Sequence, residues 1–454
     1  MKRAVAVCLL LTACAGPRRD IPTTARVTPP AAWRDTVATD AQVPVRWWTG
    51  FGDPVLNGLV DRALTNNSDI ATAAARVEEA QAGFAAARGA LLPALNADTG
   101  GANSRTINAF GQPSAASAGQ AELTAAYEID LFGRLRNASA AARAILLASR
   151  YAQDTVRLGV AASVASGYIT LRAYDARLTL LHETVATRQQ ALAAATHRAQ
   201  AGYSPALERQ QAQAEYDGAR QQIPAMQLAI RRQEDALSLL LGDSPRAINR
   251  GAGLDRLTPS AVGAQIPARV LRQRPDIAQA EQQLVAADRS LDVARAAFLP
   301  TIRLSASAGY ATSTALPHGY DVYSFGGSVL EPLFQGGRLR AQTDAATARR
   351  DQAAFAYRRA ALNAFREVED GLAAVARTDE QTAIARDQVA TLSETYRLAS
   401  NRYRAGYSPY LEQIDAQRAL LSAQLALIQV RADRLTAEVS LYQALGGGVT
   451  DMKP

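Results

Sequence analysis

The chain carries one long pattern twice. Ala201-Gly202-Tyr203-Ser204-Pro205 returns about two hundred positions later as Ala405-Gly406-Tyr407-Ser408-Pro409, each followed by a helical stretch closing on Leu241-Gly242 or Leu445-Gly446. Upstream, Arg88 to Pro93 is answered by Arg295 to Pro300, and Gly133-Arg134-Leu135-Arg136 by Gly337-Arg338-Leu339-Arg340. A period this far above the roughly 20 to 50 residues of solenoids means two copies of one large unit, and hence a fold with pseudo-symmetry. At 454 residues the length allows two or three domains, but the duplication points to one interwoven unit.

Each copy opens with an Ala-rich helix, Asp69 to Leu92 and then Asp276 to Leu299, ended by a proline that cannot continue it. The period then changes from 3.6 to 2. In Gly119 to Leu131, Ala121, Leu123, Ala125, Tyr127 and Ile129 alternate with Gln120, Glu122, Thr124, Glu128 and Asp130. Thr301 to Tyr310 alternates likewise, and Leu95 to Ile107 and Tyr320 to Phe334 do so more weakly. Four strands of about ten residues are expected, close to the roughly 9 to 11 that cross a bilayer in a tilted barrel. The residues between them, Asn108 to Ala118 and Ala311 to Gly319, read as exposed loops. A soluble hairpin packed on helices has the same alternation and stays open as an alternative.

After each strand pair comes a stretch of 67 residues without proline, Leu135 to Ala201 and Leu339 to Ala405, which as helix extends about 100 Å. Within the first, Leu171, Tyr174, Leu178, Leu181, Val185 and Leu192 hold 3-4 spacing with Arg188 in the remaining slot. The returning stretch Pro409 to Leu445 holds a heptad seam of Leu411, Ile414, Leu421, Leu425, Ile428, Ala432, Leu435, Val439 and Tyr442, broken only at Arg418. These are coiled-coil helices. Gly202 and Gly406 supply left-handed caps, Ser204 and Ser408 the next N-caps, and Pro205 and Pro409 the first helical residues of a tight helical hairpin. The returning arm and the Ala-rich helix, roughly 57 and 36 Å, together match the long helix, so a rod with strands at one end and turns at the other is expected. Pro224, where the second copy has Ile428, is expected to kink its arm.

The N-terminus reads as an export signal. Lys2 and Arg3 precede the apolar Ala4 to Leu11, and Leu11-Thr12-Ala13-Cys14 resembles the lipobox of bacterial lipoproteins, which makes Cys14 the acylated first residue of the mature chain. The alternative is an ordinary signal-peptidase site with an incidental cysteine. Ala15 stands where an aspartate signals inner-membrane retention, which points to the outer membrane. A Pro-, Thr- and Ala-rich tether follows, ending at Trp47-Trp48-Thr49-Gly50-Phe51-Gly52-Asp53-Pro54, where the tryptophans read as anchors and Asp53-Pro54 as an N-cap and first turn. The segments expected are residues 1–13 as signal, 14–53 as lipidated tether, 54–242 as first repeat with strand pair 94–132 and hairpin 135–242, 243–275 as linker, 276–446 as second repeat with strand pair 301–334 and hairpin 339–446, and 447–454 as tail.

The formal charge of +7 is mild for this length, and arginines interleave with acids as on a solvated helix, so nucleic acid is not an expected partner. No run of about 18 apolar residues offers a transmembrane helix, which leaves a transmembrane β-barrel open. His182, His197 and His318 are scattered, no glycine-rich phosphate loop follows a strand, and Gly446-Gly447-Gly448 only ends the last helix. No enzyme, metal or cofactor is expected. Four strands cannot close a barrel; two copies give eight strands and a filled interior, three give twelve and a lumen.

The lipobox, Trp47-Trp48 with Phe51-Gly52-Asp53-Pro54, the Leu131-Phe132-Gly133-Arg134 join and the twin Ala-Gly-Tyr-Ser-Pro turns together resemble the TolC-like outer-membrane efflux family, in its NodT-like lipoprotein branch. The resemblance covers nearly the whole mature chain. It implies a mainly α fold in which a long coiled-coil α-barrel continues a twelve-stranded trimeric β-barrel. It further implies a homotrimeric export duct in outer-membrane lipid, docked through Gly202, Tyr203, Ser204, Pro205, Gly406, Tyr407, Ser408 and Pro409 to a periplasmic adaptor and an inner-membrane pump of the resistance-nodulation-division type. Family aperture positions fall on Glu412 and Asp415, and a tyrosine-to-acid link on Tyr403 and Glu208. Where the family's best-known duct has an arginine two residues after the second turn glycine, this chain has Ser408. A periplasmic adaptor or coiled-coil spacer is the alternative, distinguished by one hairpin between compact β domains rather than two hairpins in tandem.

Overall fold

The computed structural model describes residues 18–35, 43–107, 109–258, 267–314 and 317–447. The expected acylation site, Cys14, lies outside them. The same order of elements occurs twice: α2 (Ser68–Gly89), β1 (Ala94–Ile107), β2 (Pro113–Ile129), α3 (Arg134–Gln200) and α4 (Ala206–Leu240), then α6 (Pro275–Ala296), β3 (Thr301–Ser313), β4 (Tyr320–Leu330), α7 (Arg338–Arg404) and α8 (Tyr410–Ala444). A short α1 (Pro54–Asn66) precedes the first copy, and α5 (Pro267–Gln273) leads into the second. The two 67-residue helices fall within one residue of their expected bounds, because nothing in either stretch interrupts a helix. α4 runs through Pro224 without a break. Among the described residues no helix is long and apolar enough to cross a membrane.

Two compact units divide the chain. The first holds Ala75–Arg150 and Gln279–Arg359 with the described residues 18–27. Its strands form one antiparallel sheet in the order β1-β2-β3-β4, joined across the duplication by β2 and β3 from Ala118↔Ser313 to Ile129↔Ile302. Two loops are shorter than expected: residues 113–118 pair with Ala102 to Ile107, and β3 continues to Ser313. Ladder hydrogen bonds, indifferent to these small polar side chains, carry the strands into them. β4 in turn ends at Leu330, short of Phe334.

The register sorts the side chains by face. Ala121, Leu123 and Ala125 of β2 align with Tyr310, Ala308 and Ala306 of β3, and these last two with Tyr323 and Phe325 of β4. Among the described residues nothing covers this apolar face: Tyr323 is 86 % and Phe325 83 % exposed. The opposite face is polar and internally bonded, through Thr124 to Asp98 at 2.9 Å and Ser307 to Ser324 at 2.9 Å. A sheet packed on helices in water shows the reverse, its apolar face buried. At the exit of β2, the Asp130 carboxylate accepts from the N–H groups of Leu135 (3.0 Å) and Arg136 (2.9 Å), capping α3, with Gly133 in the left-handed region at φ 77°. Residues 18–27 run along the same unit. There the Arg350 guanidinium, fully buried, donates to the carbonyls of Arg19 and Asp20, and Arg18 pairs with Asp288.

The second unit holds Thr28–Ala74, Tyr151–Ala278 and the residues from Ala360 onward. Its core follows the α3 seam through Val164, Tyr168, Ile169 and Leu171. Trp47 stacks on Tyr442 of α8 with centroids 5.2 Å apart, and Trp48 and Phe51 are buried beside it. The tryptophans are anchors, as expected. Asp53 caps α1 by accepting from Val55 N–H at 2.8 Å. It also accepts from the Tyr168 hydroxyl (2.8 Å) and Ala252 N–H (2.9 Å), while Gly251 N–H donates to the same hydroxyl at 2.8 Å. Burial and the bond to Asp53 push the Tyr168 phenol up to about 12.

Near Tyr442, burial raises the Glu438 carboxyl from an ordinary 4.5 to about 7, opposed by Arg434 at 3.3 Å and reinforced by Asp379. The folded chain therefore keeps a proton that the unfolded chain releases, so this group's stabilisation is full below about pH 4.5 and lost as pH rises through about 7. Raising the pH from 5.5 to 8 is expected to lower the melting temperature, through a loss of at most about 2 kcal/mol per chain. Glu438→Gln, followed by scanning calorimetry, should flatten that dependence.

Candidate aperture at the hairpin ends

The long helices end where glycine allows the chain to reverse. Gly202 and Gly406 take φ 77° and 80°, the left-handed region that side chains with a Cβ avoid. Around Gly202, Tyr203 N–H donates back to Arg198 C=O (2.9 Å) and Gly202 N–H to Ala199 C=O (3.2 Å). Tyr407 to Arg402 (2.9 Å) and Gly406 to Tyr403 (3.0 Å) repeat the arrangement. This paired closure satisfies the last carbonyls of each helix. The next helices start one residue later than expected. Pro205 and Pro409 are the caps, with extended ψ of 149° and 158°, and α4 and α8 begin at Ala206 and Tyr410. Ser204 and Ser408 do not cap: their hydroxyls are buried without a hydrogen-bond partner among the described residues. Three residues separate each glycine from the next helix, with the proline as the extended cap, so each serine stands one position before the cap. Tyr203 and Tyr407 stand exposed beside them.

Above the turns the two hairpins meet in a small core of Ala195, Ala212, Tyr410 and Ile414, with Leu192 and Tyr403 against it. The Tyr403 ring lies 5.2 Å from that of Tyr410 and beneath the Arg198 guanidinium, 4.8 Å from the ring centroid. Glu208 faces the same arginine: burial pushes its carboxyl up and Arg198 pulls it down. Its Oε1 accepts no hydrogen bond among the described residues. Tyr403 and Glu208 thus gather on Arg198 rather than on each other. Burial also pushes the Tyr410 phenol up, reinforced by Glu215 and Glu208. On the second hairpin, Glu412 lies 3.5 Å from Arg402, and Asp415, two-thirds exposed, 3.8 Å from Arg418. Each hairpin end therefore carries exposed or half-buried carboxylates, each with one arginine nearby.

Sequence reasoning missed Arg198 and Tyr410. Tyr410 directly follows a turn proline, a position where an aromatic side chain reaches the partner helix. Arg198 carries no signal of its own, being one of many arginines on a polar helix. The cation beside Tyr403 and Glu208 comes from α3.

The sequence pattern of the outer membrane efflux protein family matches residues 59–243 and 266–447, one stretch for each copy. The chain belongs to that family. It is 34 % identical over 456 residues to the pyoverdine export outer membrane protein OpmQ of Pseudomonas aeruginosa, covering 98 % of this chain and 96 % of that one. It is 37 % identical over 405 residues to the solvent efflux pump outer membrane protein SrpC of Pseudomonas putida, covering 88 % and 86 %. Among solved structures it is similar to the open state of the MtrE outer membrane channel of Neisseria gonorrhoeae, with TM-score 0.84 and 30 % identity over 95 % of this chain and 98 % of that one. The four-stranded antiparallel sheet and paired helical hairpins are thus those of outer-membrane efflux channels.

Proposed function

We propose that the chain is the exit duct of a tripartite efflux system: a homotrimer whose three sheets close a twelve-stranded barrel in the outer membrane and whose helical hairpins reach into the periplasm. The observation that carries this reading is the sheet of the first unit. Its apolar face is bare and its polar face bonded to itself, and β1 and β4 are both edges. A long bare edge and a bare apolar face are liabilities in water. Lipid covers the face, and edge pairing β4 to β1 between copies removes both edges. Four strands from each of three copies leave room for a lumen, which two copies do not.

In this reading Cys14 holds the lipid, and the turns Gly202 to Pro205 and Gly406 to Pro409 dock to a periplasmic adaptor joined to an inner-membrane pump. Glu208, Tyr403, Glu412 and Asp415 border the periplasmic aperture. The duct catalyses no reaction. Its cargo is small molecules of the kind named for its relatives, pyoverdine and solvents, with the pump making the selection because a wide lumen discriminates little. Native mass spectrometry of the detergent-purified membrane fraction tests both oligomer and anchor. Three chains, each heavier by its acyl groups and starting at Cys14, are expected; Cys14→Ser should lose the acyl mass and keep the trimer, since a closed barrel holds itself in the bilayer. A monomer that stays soluble without detergent contradicts the reading.

A further inference from the structure

The two arginines that interrupt the heptad seams converge on one carboxylate. Arg188 of α3, buried, donates Nη1 to the backbone carbonyl of Glu215 at 2.7 Å, and its Nη2 lies 3.0 Å from Glu215 Oε2. Arg418 of α8 donates Nε to Glu215 Oε1 at 2.9 Å. Glu215, on α4 and itself buried, therefore gives one oxygen to each hairpin. A carboxylate taken out of water is held by charge-assisted bonds, and removing one partner leaves the other charge uncompensated. It stands nine residues into α4, about 14 Å along the helix from the turn. Below it, the hairpins are joined mainly by the small core around Tyr410, to which Ala195 and Ala212 bring little area.

The two arginines are not equivalent. Arg188 is sealed between α3 and α4 and belongs permanently to the first hairpin. Arg418 is 57 % exposed and has a second carboxylate in reach, Asp415 at 3.8 Å on its own helix. It can leave Glu215 without losing an anionic partner. Such an exchange of one cation between two acids has two discrete arrangements, as a switch needs.

Resting on the duct reading above, we infer that Glu215 is the positioning residue for aperture opening and Arg418 its releasable catch. With Arg418 on Glu215 the second hairpin is held to the first, and Asp415, 3.8 Å away, is only partly screened beside the aperture. When the hairpins separate, Arg418 passes to Asp415 and cancels that charge. Separation of the tips and loss of cation preference are thereby coupled through one side chain, repeated three times in the trimer.

Planar-bilayer recording of the full-length protein tests this. Arg418→Ala should raise open probability at least tenfold while retaining cation preference, because Asp415 is left charged. Glu215→Gln should also raise it, with cation preference lowered toward the neutral value, because Arg418 is driven onto Asp415. If burial of Arg188 without Glu215 prevents assembly, the double variant Glu215→Gln with Arg188→Met restores the fold and carries the same expectation. Arg418→Lys should partly restore closure. The inference is overturned if Arg418→Ala gates like the parent, or if the Glu215 variants open with the parent's reversal potential. Absence of any channel from the parent and every variant overturns the duct reading itself, a separate outcome.

Discussion

Arg198→Ala is expected to raise the time-averaged single-channel current of the purified protein in planar bilayers far more than Tyr403→Phe. The arginine lies over the Tyr403 ring and is the cation facing Glu208, so its removal releases both contacts at once. Phenylalanine keeps the ring and hence most of the cation–π attraction. Each contact at a partly solvated tip is worth about 0.5 to 1 kcal/mol, so the pair contributes about 1 to 2 kcal/mol per chain. A threefold assembly repeats it, giving about 3 to 6 kcal/mol per trimer. That range reaches the roughly 5.5 kcal/mol needed to turn a two-state equilibrium from 1:99 to 99:1. Glu412→Ala with Asp415→Ala acts differently. It should weaken cation preference and block by multivalent cations, because it removes charge from the aperture. If Arg198→Ala and the acidic double variant both conduct like the parent, these carboxylates only stabilise the first turns of α4 and α8 through the helix dipole.

Asp53→Ala is expected to lower the thermal stability of the detergent-solubilised protein by about 3 to 7 kcal/mol. The cap of α1 contributes about 1 kcal/mol. The Tyr168 hydroxyl and Ala252 N–H, both donors to the carboxylate, lose their acceptor in a buried site at about 1 to 3 kcal/mol each. Gly251→Ala should be similarly harmful for a steric reason: a Cβ there meets Asp53 Oδ1 at 2.1 Å. Melting curves within about 1 kcal/mol of the parent for both variants would show that the node is dispensable.

Much of the fold is legible because it is built from periodicities. Proline-free heptads specify α3 and α7 almost to the residue, and alternation specifies the strands, since both patterns are local. Loop lengths in the sheet were not legible: ladder bonds extend β2 back to Pro113 through small polar residues that read as turn. The serine caps failed for a related reason, as the number of residues between Gly202 and the next helix is fixed by the path of the reversal rather than by composition. Partners far apart in sequence left the weakest trace. Asp53 was recognisable as a cap, but its bond to Tyr168 spans 115 positions. Arg350 looked like any arginine on a solvated helix, although it is buried against the carbonyls of Arg19 and Asp20. Arg188 and Arg418 were visible as breaks in a seam, whereas the carboxylate they share was not.

Three copies are expected to close one continuous duct whose narrow end is the pair of Gly-Tyr-Ser-Pro turns. Electron cryomicroscopy of the full-length protein in lipid nanodiscs measures this most directly. The expected density has twelve strands closed around a lumen in the bilayer, continued by helices, with three copies of Glu412 and Asp415 facing a common axis at the far end. Eight strands around a filled interior, or a single sheet left open outside the lipid, would contradict it.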